Sequence, residues 1–272
     1  MKAMIFAAGL GTRLQPITND KPKALVEVGG KTLLQWQIEM VRDAGIRDIY
    51  INIHHFPDLI LNYLQEHDYF DCHLMVSDER ERLLDTGGGL KRVESLECRV
   101  LSPEGHDRQS RMESSSKVES ILALNVDILS NIDLKALIEA YEKDGISRLV
   151  VSKRETSRYL LFDESNRLVG WKNIATGEVK PYSSTPLPPY TTLAFSGMQI
   201  LSPHVCARLL DKEEDVFSLI DFYLDICQKE ILQAYEPEDY QMLDIGKLAV
   251  IRDGHAERFV ETMNLARSHK VH

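Results

Sequence analysis

Glycines and basic residues are concentrated in a short segment near the start of the chain. The apolar run Met4–Ala8 is followed by Gly9-Leu10-Gly11-Thr12-Arg13, and Lys21-Pro22-Lys23 comes shortly afterwards. Glycine lets backbone N–H groups approach an anion that a Cβ atom would keep away. Arg13 and Lys23 add fixed positive charge, and a guanidinium can donate paired hydrogen bonds to phosphate oxygens. The segment therefore predicts a loop that binds a polyphosphate.

Two common phosphate-binding motifs do not fit this segment. A dinucleotide fingerprint needs a third glycine where Leu14 stands, and a Walker loop needs Gly-Lys-Ser or Gly-Lys-Thr. The alternative for an isolated Gly-x-Gly is a plain turn whose basic neighbours face solvent. Here the whole string, with Pro16 and Pro22 to restrict the loop, favours anion binding.

Two aspartates each end a short apolar run. Asp127 follows Ile121–Val126, and Asp244 follows Met242-Leu243. A carboxylate at the carboxyl end of a parallel strand lies in the crevice where open α/β sheets bind ligands. Two carboxylates beside a triphosphate would suit Mg²⁺, which takes one or two protein oxygens and leaves positions for phosphate and water. Either aspartate alone could instead be the N-cap of a helix.

Further polar segments could complete a pocket. Thr86 and three glycines open a predicted helix, and the glycines would leave amides free to bind a base edge or an anion. A plain flexible loop is the alternative there. Ser196-Gly197 interrupts an apolar strand, which indicates that another group approaches it closely. His54 and His55 are adjacent in a strand and would face opposite sides, so structural or substrate-edge roles are favoured over a shared metal ion.

The first half of the chain alternates elements that could position these residues. The predicted strands are Met4–Ala8, Asp48–Ile53, His73–Val76 and Ile121–Val126, and the predicted helices are Thr32–Ala44, Pro57–His67, Gly88–Leu96 and Leu134–Lys143. This alternation predicts right-handed crossovers and an α/β fold with a doubly wound, mostly parallel, Rossmann-like sheet flanked by helices.

The second half of the chain has a different pattern. Short strand candidates at Arg148–Ser152, Tyr159–Phe162, Arg167–Trp171 and Thr192–Ile200 are linked by turns, which predicts a mixed or antiparallel extension of the sheet. Residues 99–120 are polar and lack periodicity, so we expect a mobile surface insertion there. No linker or internal repeat divides the chain, and we expect a single domain over residues 1–272.

The motifs together resemble a known family. Gly-x-Gly-Thr-Arg-x-x-Pro-x-Thr followed by Lys-Pro-Lys resembles the signature of sugar-1-phosphate nucleotidyltransferases. Further similarity, to the short N-acetylmuramate 1-phosphate uridylyltransferase branch, extends through nearly the whole chain. The segments that carry it, besides the Met-Lys-Ala-Met start and the loop, are Ser77–Arg80, Leu84, Thr86–Gly89, Thr192–Gly197 and Asp244–Gly246.

The resemblance implies that a nucleoside triphosphate and a sugar 1-phosphate react to give an NDP-sugar and pyrophosphate, with Mg²⁺ as the cofactor. It assigns nucleotide binding to Ala8, Gly9, Leu10, Gly11, Thr12, Arg13, Thr86, Gly87 and Gly88. It assigns sugar-phosphate binding to Lys23, Asn125, Lys172, Ser196 and Gly197, catalytic roles to Arg13 and Lys23, and Mg²⁺ binding to Asp127 and Asp244. For Lys172 a solvated lysine is equally consistent with the loose spacing.

One position departs from the family pattern and leaves the substrate open. Similar enzymes have glycine where this chain has Val126, between Asn125 and Asp127. We expect UTP with an N-acetylated sugar 1-phosphate, and GTP with mannose or heptose 1-phosphate is the alternative. A glycosyltransferase of similar fold should show Asp-x-Asp at residues 125–127, which this chain lacks. A non-catalytic regulatory homologue that binds nucleotide should have lost some of the charged site residues. All four are present in this chain: Arg13, Lys23, Asp127 and Asp244.

Composition excludes other classes. The chain has 32 Lys+Arg against 42 Asp+Glu, a net charge of −10, which disfavours a nucleic-acid partner. Its apolar runs are shorter than the roughly 20 residues of a membrane span, and its opening segment is too short for a signal peptide. Four cysteines lie far apart, which disfavours a disulfide framework and indicates the cytoplasm. The sequence carries no signal for an oligomeric state.

Overall fold

The computed structural model describes residues 1–95, 99–101, 118–180 and 187–269 of the chain. Its strands are β1 (Lys2–Phe6), β2 (Glu27–Val28), β3 (Lys31–Thr32), β4 (Asp48–Ile53), β5 (His73–Asp78), β6 (Arg99–Leu101), β7 (Ile121–Asn125), β8 (Ile128–Ser130), β9 (Ser147–Ser152), β10 (Arg158–Phe162), β11 (Leu168–Asn173), β12 (Val179–Lys180), β13 (Thr191–Leu201), β14 (Leu232–Tyr235) and β15 (Met242–Asp244). Its helices are α1 (Leu33–Asp43), α2 (Pro57–Glu66), α3 (Asp85–Glu94), α4 (Leu134–Glu142), α5 (Pro203–Leu210), α6 (Leu219–Ile226), α7 (Leu248–Arg252) and α8 (His255–His269).

One large sheet runs through the molecule, with eleven strands over the described residues. Its continuous order is β12-β11-β10-β13-β7-β1-β4-β5-β6, and β9 and β14 join it beside β13. The central strands β7, β1, β4 and β5 are parallel to one another. The predicted fold class, a mostly parallel sheet flanked by helices, is therefore confirmed.

The long strand β13 joins the parallel centre to the antiparallel extension. Its residues 191–193 pair with β10 and its residues 198–201 pair with β7, while β9 pairs with its other edge. A register shift between Phe195 and Gln199 interrupts the pairing with β9. A shift of this kind bends a strand, so one strand can serve two parts of a sheet.

Helices cover both faces of the sheet because its central strands are apolar on both sides. In β1, Ala3 and Ile5 face one core, and Met4 and Phe6 face the other. This follows from the two-residue period of a strand, which turns successive side chains to opposite faces. No helix among the described residues has the length and apolar character to cross a membrane.

The predicted surface insertion is wrong at its start. Arg99–Leu101, which the sequence assigns to the insertion, forms β6 and pairs antiparallel with β5 at the sheet edge. A strand of three residues carries too little periodicity to be recognised from the sequence. Residues 102–117, which make up most of the predicted insertion, lie outside the described residues.

Candidate active site

A cavity of about 440 Å³ opens at the carboxyl ends of the parallel strands. This edge is where open α/β sheets bind ligands, and the volume is in the range of small-molecule sites. The lining combines the ends of β1, β4 and β7 with the segments before α3 and α6. It consists of Phe6, Ala8, Gly9, Lys23, Asn52, Leu83, Asp85, Thr86, Asn125, Val126, Asp127 and Val216.

The glycine loop after β1 has the backbone that the sequence predicts. Gly11 has a φ of +66°, and its carbonyl accepts a hydrogen bond of 2.8 Å from the Thr18 hydroxyl. A Cβ atom at Gly11 would lie 3.0 Å from Thr18 Cγ2 and 3.2 Å from Lys23 Cβ, so both the left-handed backbone and the close packing favour glycine. Within the described part of the chain, the N–H groups of Gly9, Leu10 and Gly11 donate to no protein acceptor. These amides are free to bind an anion.

Lys23 and Asp127 form an ion pair at the base of the cavity. Lys23 Nζ donates a hydrogen bond to Asp127 Oδ2. The two side chains are only 11% and 15% exposed, so each charge is largely shielded from water and needs a partner. The two residues are far apart in the sequence, and the fold brings the predicted phosphate ligand to the predicted metal ligand.

The second aspartate reaches the same place through a small antiparallel sheet. β15 pairs with β8, which directly follows Asp127, and Ile245 N donates a 2.9 Å hydrogen bond to the carbonyl of Asp127. Asp244 Oδ1 accepts a 2.7 Å hydrogen bond from Gly246 N. A Cβ atom at Gly246 would lie 2.7 Å from both Arg13 Nη2 and Asp244 Oδ1. Arg13 and Asp244 therefore lie against one glycine, next to Asp127.

A buried amide on α1 holds the backbone on both sides of Asp127. Gln37 is 1% exposed, and its Nε2 donates hydrogen bonds of 2.8 Å to the Ile128 carbonyl and 3.5 Å to the Val126 carbonyl. On the strand side, Val126 N donates to the Phe6 carbonyl at 3.2 Å. The backbone around Asp127 is thus fixed by contacts from outside its own strand.

The hydrogen bonds of the glycine turn that opens α3 contradict one prediction. The amides of Gly87 and Gly88 are not free, because both donate to the carbonyl of Phe217, at 2.9 and 3.3 Å. A Cβ atom at Gly88 would lie 1.9 Å from the Asp215 carbonyl, and one at Gly87 would lie 2.3 Å from Phe217 Cδ2. These glycines permit close packing of residues 215–217, and the expectation that their amides are exposed to a nucleobase is wrong. Thr86 does line the cavity.

The residues predicted for the sugar phosphate divide into two groups. Asn125 lines the cavity, and Gly197, with a φ of +69°, approaches it so closely that a Cβ atom would lie 2.8 Å from Asn125 Nδ2. Ser196 is 1% exposed, and Lys172 lies on β11 opposite Tyr159. Neither Ser196 nor Lys172 is among the described residues that line the cavity.

The adjacent histidines do not form a metal site. His54 Nδ1 hydrogen-bonds to the Glu79 carbonyl at 2.7 Å, and the His55 ring packs against Phe56 with centroids 4.2 Å apart. No group of three or more His, Cys, Asp and Glu side chains is placed to hold a metal among the described residues. A cation bound by Asp127 and Asp244 would therefore need oxygens from substrate and water.

Comparison with known proteins establishes the family. A family model described as nucleotidyl transferase matches residues 2–258. The chain belongs to this family. The expectation from the glycine loop and the two aspartates is thereby confirmed at the level of the family.

The curated relatives of this chain include two kinds of enzyme. The N-acetylmuramate alpha-1-phosphate uridylyltransferase of Caulobacter vibrioides is 43% identical over 96 residues, which cover 35% of this chain and 40% of that protein. The mannose-1-phosphate guanyltransferase of Yarrowia lipolytica is 25% identical over 250 residues, which cover 91% of this chain and 61% of that protein. The chain thus spans less than two thirds of the length of either relative.

Solved structures share the fold of this chain. HddC from Yersinia pseudotuberculosis has a TM-score of 0.67 at 22% identity, covering 95% of this chain and 99% of its own. UDP-glucose pyrophosphorylase from Acinetobacter baumannii has a TM-score of 0.68 at 17% identity, covering 93% of this chain and 91% of its own. At these identities the likeness concerns the fold alone.

Several residues of the candidate site were not identified from the sequence. Asn52, Leu83, Asp85 and Val216 all line the cavity. The sequence holds a signal for Asn52 only, since it is a polar residue inside the apolar strand β4. Leu83 and Val216 lie between elements and Asp85 is the first residue of α3, and only the folded chain shows that their side chains face the cavity.

Proposed function

We propose that this chain transfers a nucleotidyl group from a nucleoside triphosphate to a sugar 1-phosphate and releases pyrophosphate. The observation that carries the proposal is the convergence of two basic and two acidic residues beside free loop amides. Lys23 pairs with Asp127, and Arg13 and Asp244 lie against Gly246. The activities named for the two relatives, uridylyl and guanylyl transfer to sugar 1-phosphates, support the same reaction class.

The chemistry needs charge neutralisation more than proton transfer. An ionised oxygen of the sugar 1-phosphate attacks the α-phosphorus, and the bond from the α-phosphorus to the bridging oxygen breaks as pyrophosphate leaves. Because the attacking oxygen already carries charge, positioning and electrostatic stabilisation supply most of the catalysis. The free amides of Gly9, Leu10 and Gly11 hold the triphosphate. Arg13 stabilises the charge that grows on the departing pyrophosphate.

The two aspartates fit Mg²⁺. Carboxylate oxygens are hard donors, and a pair of them leaves positions for phosphate oxygens and water, as Mg²⁺ prefers. When bound by Asp127 and Asp244, Mg²⁺ supplies positive charge next to the reacting phosphates. Lys23, which the fold holds against Asp127, would bind the sugar phosphate.

For the substrate we propose UTP with an N-acetylated sugar 1-phosphate. The supporting observation is the 43% identity with the uridylyltransferase over 96 residues. GTP with mannose 1-phosphate is the second candidate, supported by the longer match of 250 residues to the guanyltransferase. Val126 lines the cavity beside Asp127, so its side chain takes part in the choice of sugar.

A pyrophosphate-release assay tests the proposal. UTP, GTP, dTTP and CTP are each combined with N-acetylmuramate, N-acetylglucosamine, mannose, glucose and heptose 1-phosphates in the presence of Mg²⁺. One pair should dominate, and Lys23→Ala or Asp127→Asn should lower its turnover by about 10²-fold or more, because charge stabilisation in the transition state is lost. Lys143→Ala, an exposed lysine after α4, is the matched control. Normal turnover in both site variants, or no release with any pair, would contradict the proposal.

A further inference from the structure

Two buried polar side chains, Asn52 and Glu79, form a hydrogen-bonded bridge between the start of the glycine loop and the segment before α3. Asn52 is 3% exposed, and its Oδ1 accepts hydrogen bonds from Ala7 N at 2.8 Å and from Ala8 N at 3.4 Å. Its Nδ2 donates a 2.9 Å hydrogen bond to Glu79 Oε1. Asn52 therefore binds the backbone at the start of the glycine loop with one end and a carboxylate with the other.

Glu79 continues the bridge to the opposite end of the cavity. Its side chain is 1% exposed, and Oε2 accepts a 3.0 Å hydrogen bond from Leu84 N, just before α3. Its own backbone N–H donates to the Ile53 carbonyl at 2.7 Å. A Cβ atom at Gly89 would lie 3.0 Å from both Asn52 Nδ2 and Glu79 Oε1, so a glycine lets α3 pack directly on the bridge.

Burial of the Glu79 carboxylate costs desolvation free energy, and formation of the sheet does not require this burial. Desolvation raises the pKa of Glu79 above its usual value, in spite of the hydrogen bonds from Asn52 and Leu84. Apolar side chains of similar volume commonly stabilise a core as well as a buried polar pair does. The bridge instead supplies directional contacts to two backbone segments, Ala7-Ala8 and Leu84, that border the cavity.

The cavity has two chemically different ends, and the bridge joins them. Gly9 and Lys23 at one end suit phosphate. At the other end, Leu83 and Val216 are partly exposed apolar side chains, and Asp85 and Thr86 offer polar groups, which together suit a nucleobase. A nucleotide spans both ends, so its affinity depends on the separation between them.

We propose that Asn52 and Glu79 are positioning residues that fix the glycine loop relative to the Leu83–Thr86 segment, so that one nucleotide contacts both. The inference rests on the proposed function, because it requires that the cavity binds a nucleoside triphosphate. The bridge acts through the backbone of Ala7, Ala8 and Leu84. Its loss should therefore weaken nucleotide binding more than it affects the sugar 1-phosphate.

Exchange of the two side-chain types tests the bridge. Glu79→Gln leaves one acceptor for two donors, so either Leu84 N or Asn52 Nδ2 loses its partner. Asn52→Asp places two carboxylates against each other. In the double variant Asn52→Asp/Glu79→Gln, the introduced aspartate can accept from Ala7 N and from the introduced amide, whose oxygen can accept from Leu84 N. The double variant thus restores every hydrogen bond and the original charge.

The measurements are the Kd of UTP and of GTP by calorimetry, and kcat and KM for both substrates of the active pair. Each single variant should raise the nucleotide Kd and KM about tenfold, as loss of a buried hydrogen bond predicts, with the sugar 1-phosphate KM changed less than about twofold. The double variant should return to within about threefold of the wild type. Asn62→Asp on α2 and Glu142→Gln on α4 make the same exchanges at exposed positions and should change neither constant.

The outcomes separate this inference from the proposed function. If the wild-type chain binds no nucleotide, the proposed function fails. If it binds nucleotide and the folded single variants bind it equally well, or the double variant does not recover, the bridge is only structural and the inference is wrong. Circular dichroism and the unfolding temperature establish folding. Should one single variant not fold, the other completes the comparison, since each breaks the same contact between Asn52 and Glu79.

Discussion

The two glycine-rich segments, residues 9–11 and residues 87–89, use glycine for different reasons: Gly9 lines the cavity, whereas residues 87–89 only follow its lining residue Thr86. In the first, Gly9 is exposed and the N–H groups of Gly9 and Gly11 donate to no acceptor in the described part of the chain. In the second, the glycines are buried and the amides of Gly87 and Gly88 donate to Phe217. A glycine-rich segment can therefore serve two purposes: residues 9–11 keep backbone amides without a protein acceptor, and residues 87–89 allow another segment to pack closely.

Loss of the positive charge beside the open segment, residues 9–11, should have the largest effect, and the quantity affected is turnover. Arg13→Ala should lower turnover of the active substrate pair by about 10²-fold to 10³-fold, because charge on the leaving pyrophosphate loses its partner. Arg13 is exposed, so the unfolding temperature should stay unchanged. Steady-state kinetics with the pyrophosphate-release assay measures the effect, and Arg252→Ala, an exposed arginine on α7, is the control. A drop in stability instead of turnover would assign Arg13 a structural role.

A methyl group added in the packed segment, residues 87–89, should reduce the stability of the fold. Gly88→Ala should lower the free energy of unfolding by about 3 kcal/mol, because the added Cβ would lie 1.9 Å from the Asp215 carbonyl and the backbone must move. Urea denaturation followed by circular dichroism measures this change. An unfolding curve like that of the wild type would show that residues 215–217 do not pack against this turn in solution.

The same methyl group in the open segment should affect binding and not folding. Nothing lies within 4 Å of a Cβ atom built at Gly9, so Gly9→Ala should leave stability unchanged or raise it by about 0.5 kcal/mol. The methyl group would stand where phosphate approaches the backbone, and we expect the nucleotide Kd to rise about tenfold. Calorimetry and urea denaturation on this variant, beside Gly88→Ala, give the contrast. An unchanged Kd would place the phosphates elsewhere.

The smallest expected effect is on the pH dependence of the free energy of unfolding. Burial raises the pKa of Glu79 above 4.5, so folding favours its protonated form. The stability that this carboxyl contributes is complete below the unfolded-state pKa and is lost as pH rises through the folded-state pKa. Glu79→Gln does not titrate, so its free energy of unfolding should fall less than that of the wild type between about pH 4 and about pH 8. Parallel pH profiles for the two proteins would show that Glu79 is not desolvated.

Local features of the site were predictable from the sequence because their parts are close in the chain. The conformation of Gly11 depends on contacts with Thr18 and Lys23. Both residues belong to the same sequence motif, so the motif alone predicts this conformation. The alternation of apolar strands and helices likewise predicted the sheet, since side chains with a two-residue period must be covered on both faces. The edge strand β6 was missed because three residues show no period.

Contacts between distant segments were not predictable in the same way. The hydrogen-bond partners of Asn52 come from two distant parts of the chain, Ala7-Ala8 and Glu79, and no spacing rule relates Asn52 to Glu79. Similarly, Ser196 has a residue type suited to a sugar, yet the fold buries it to 1% exposure. Residue type indicates which chemistry is available, while burial decides whether a ligand can use it.

The sequence by itself determined the doubly wound sheet, and it predicted an anion-binding loop at residues 9–13 and two carboxylates suited to Mg²⁺. Only the tertiary structure decided that the segment of Asp244 lies beside that of Asp127, through the pairing of β15 with β8 and the hydrogen bond from Ile245 N to the Asp127 carbonyl. It also decided that the amides of Gly87 and Gly88 donate to the Phe217 carbonyl and are not free. The physical reason is that an N–H group bonds to whichever acceptor comes within reach, and the folded chain brings that acceptor from far along the sequence.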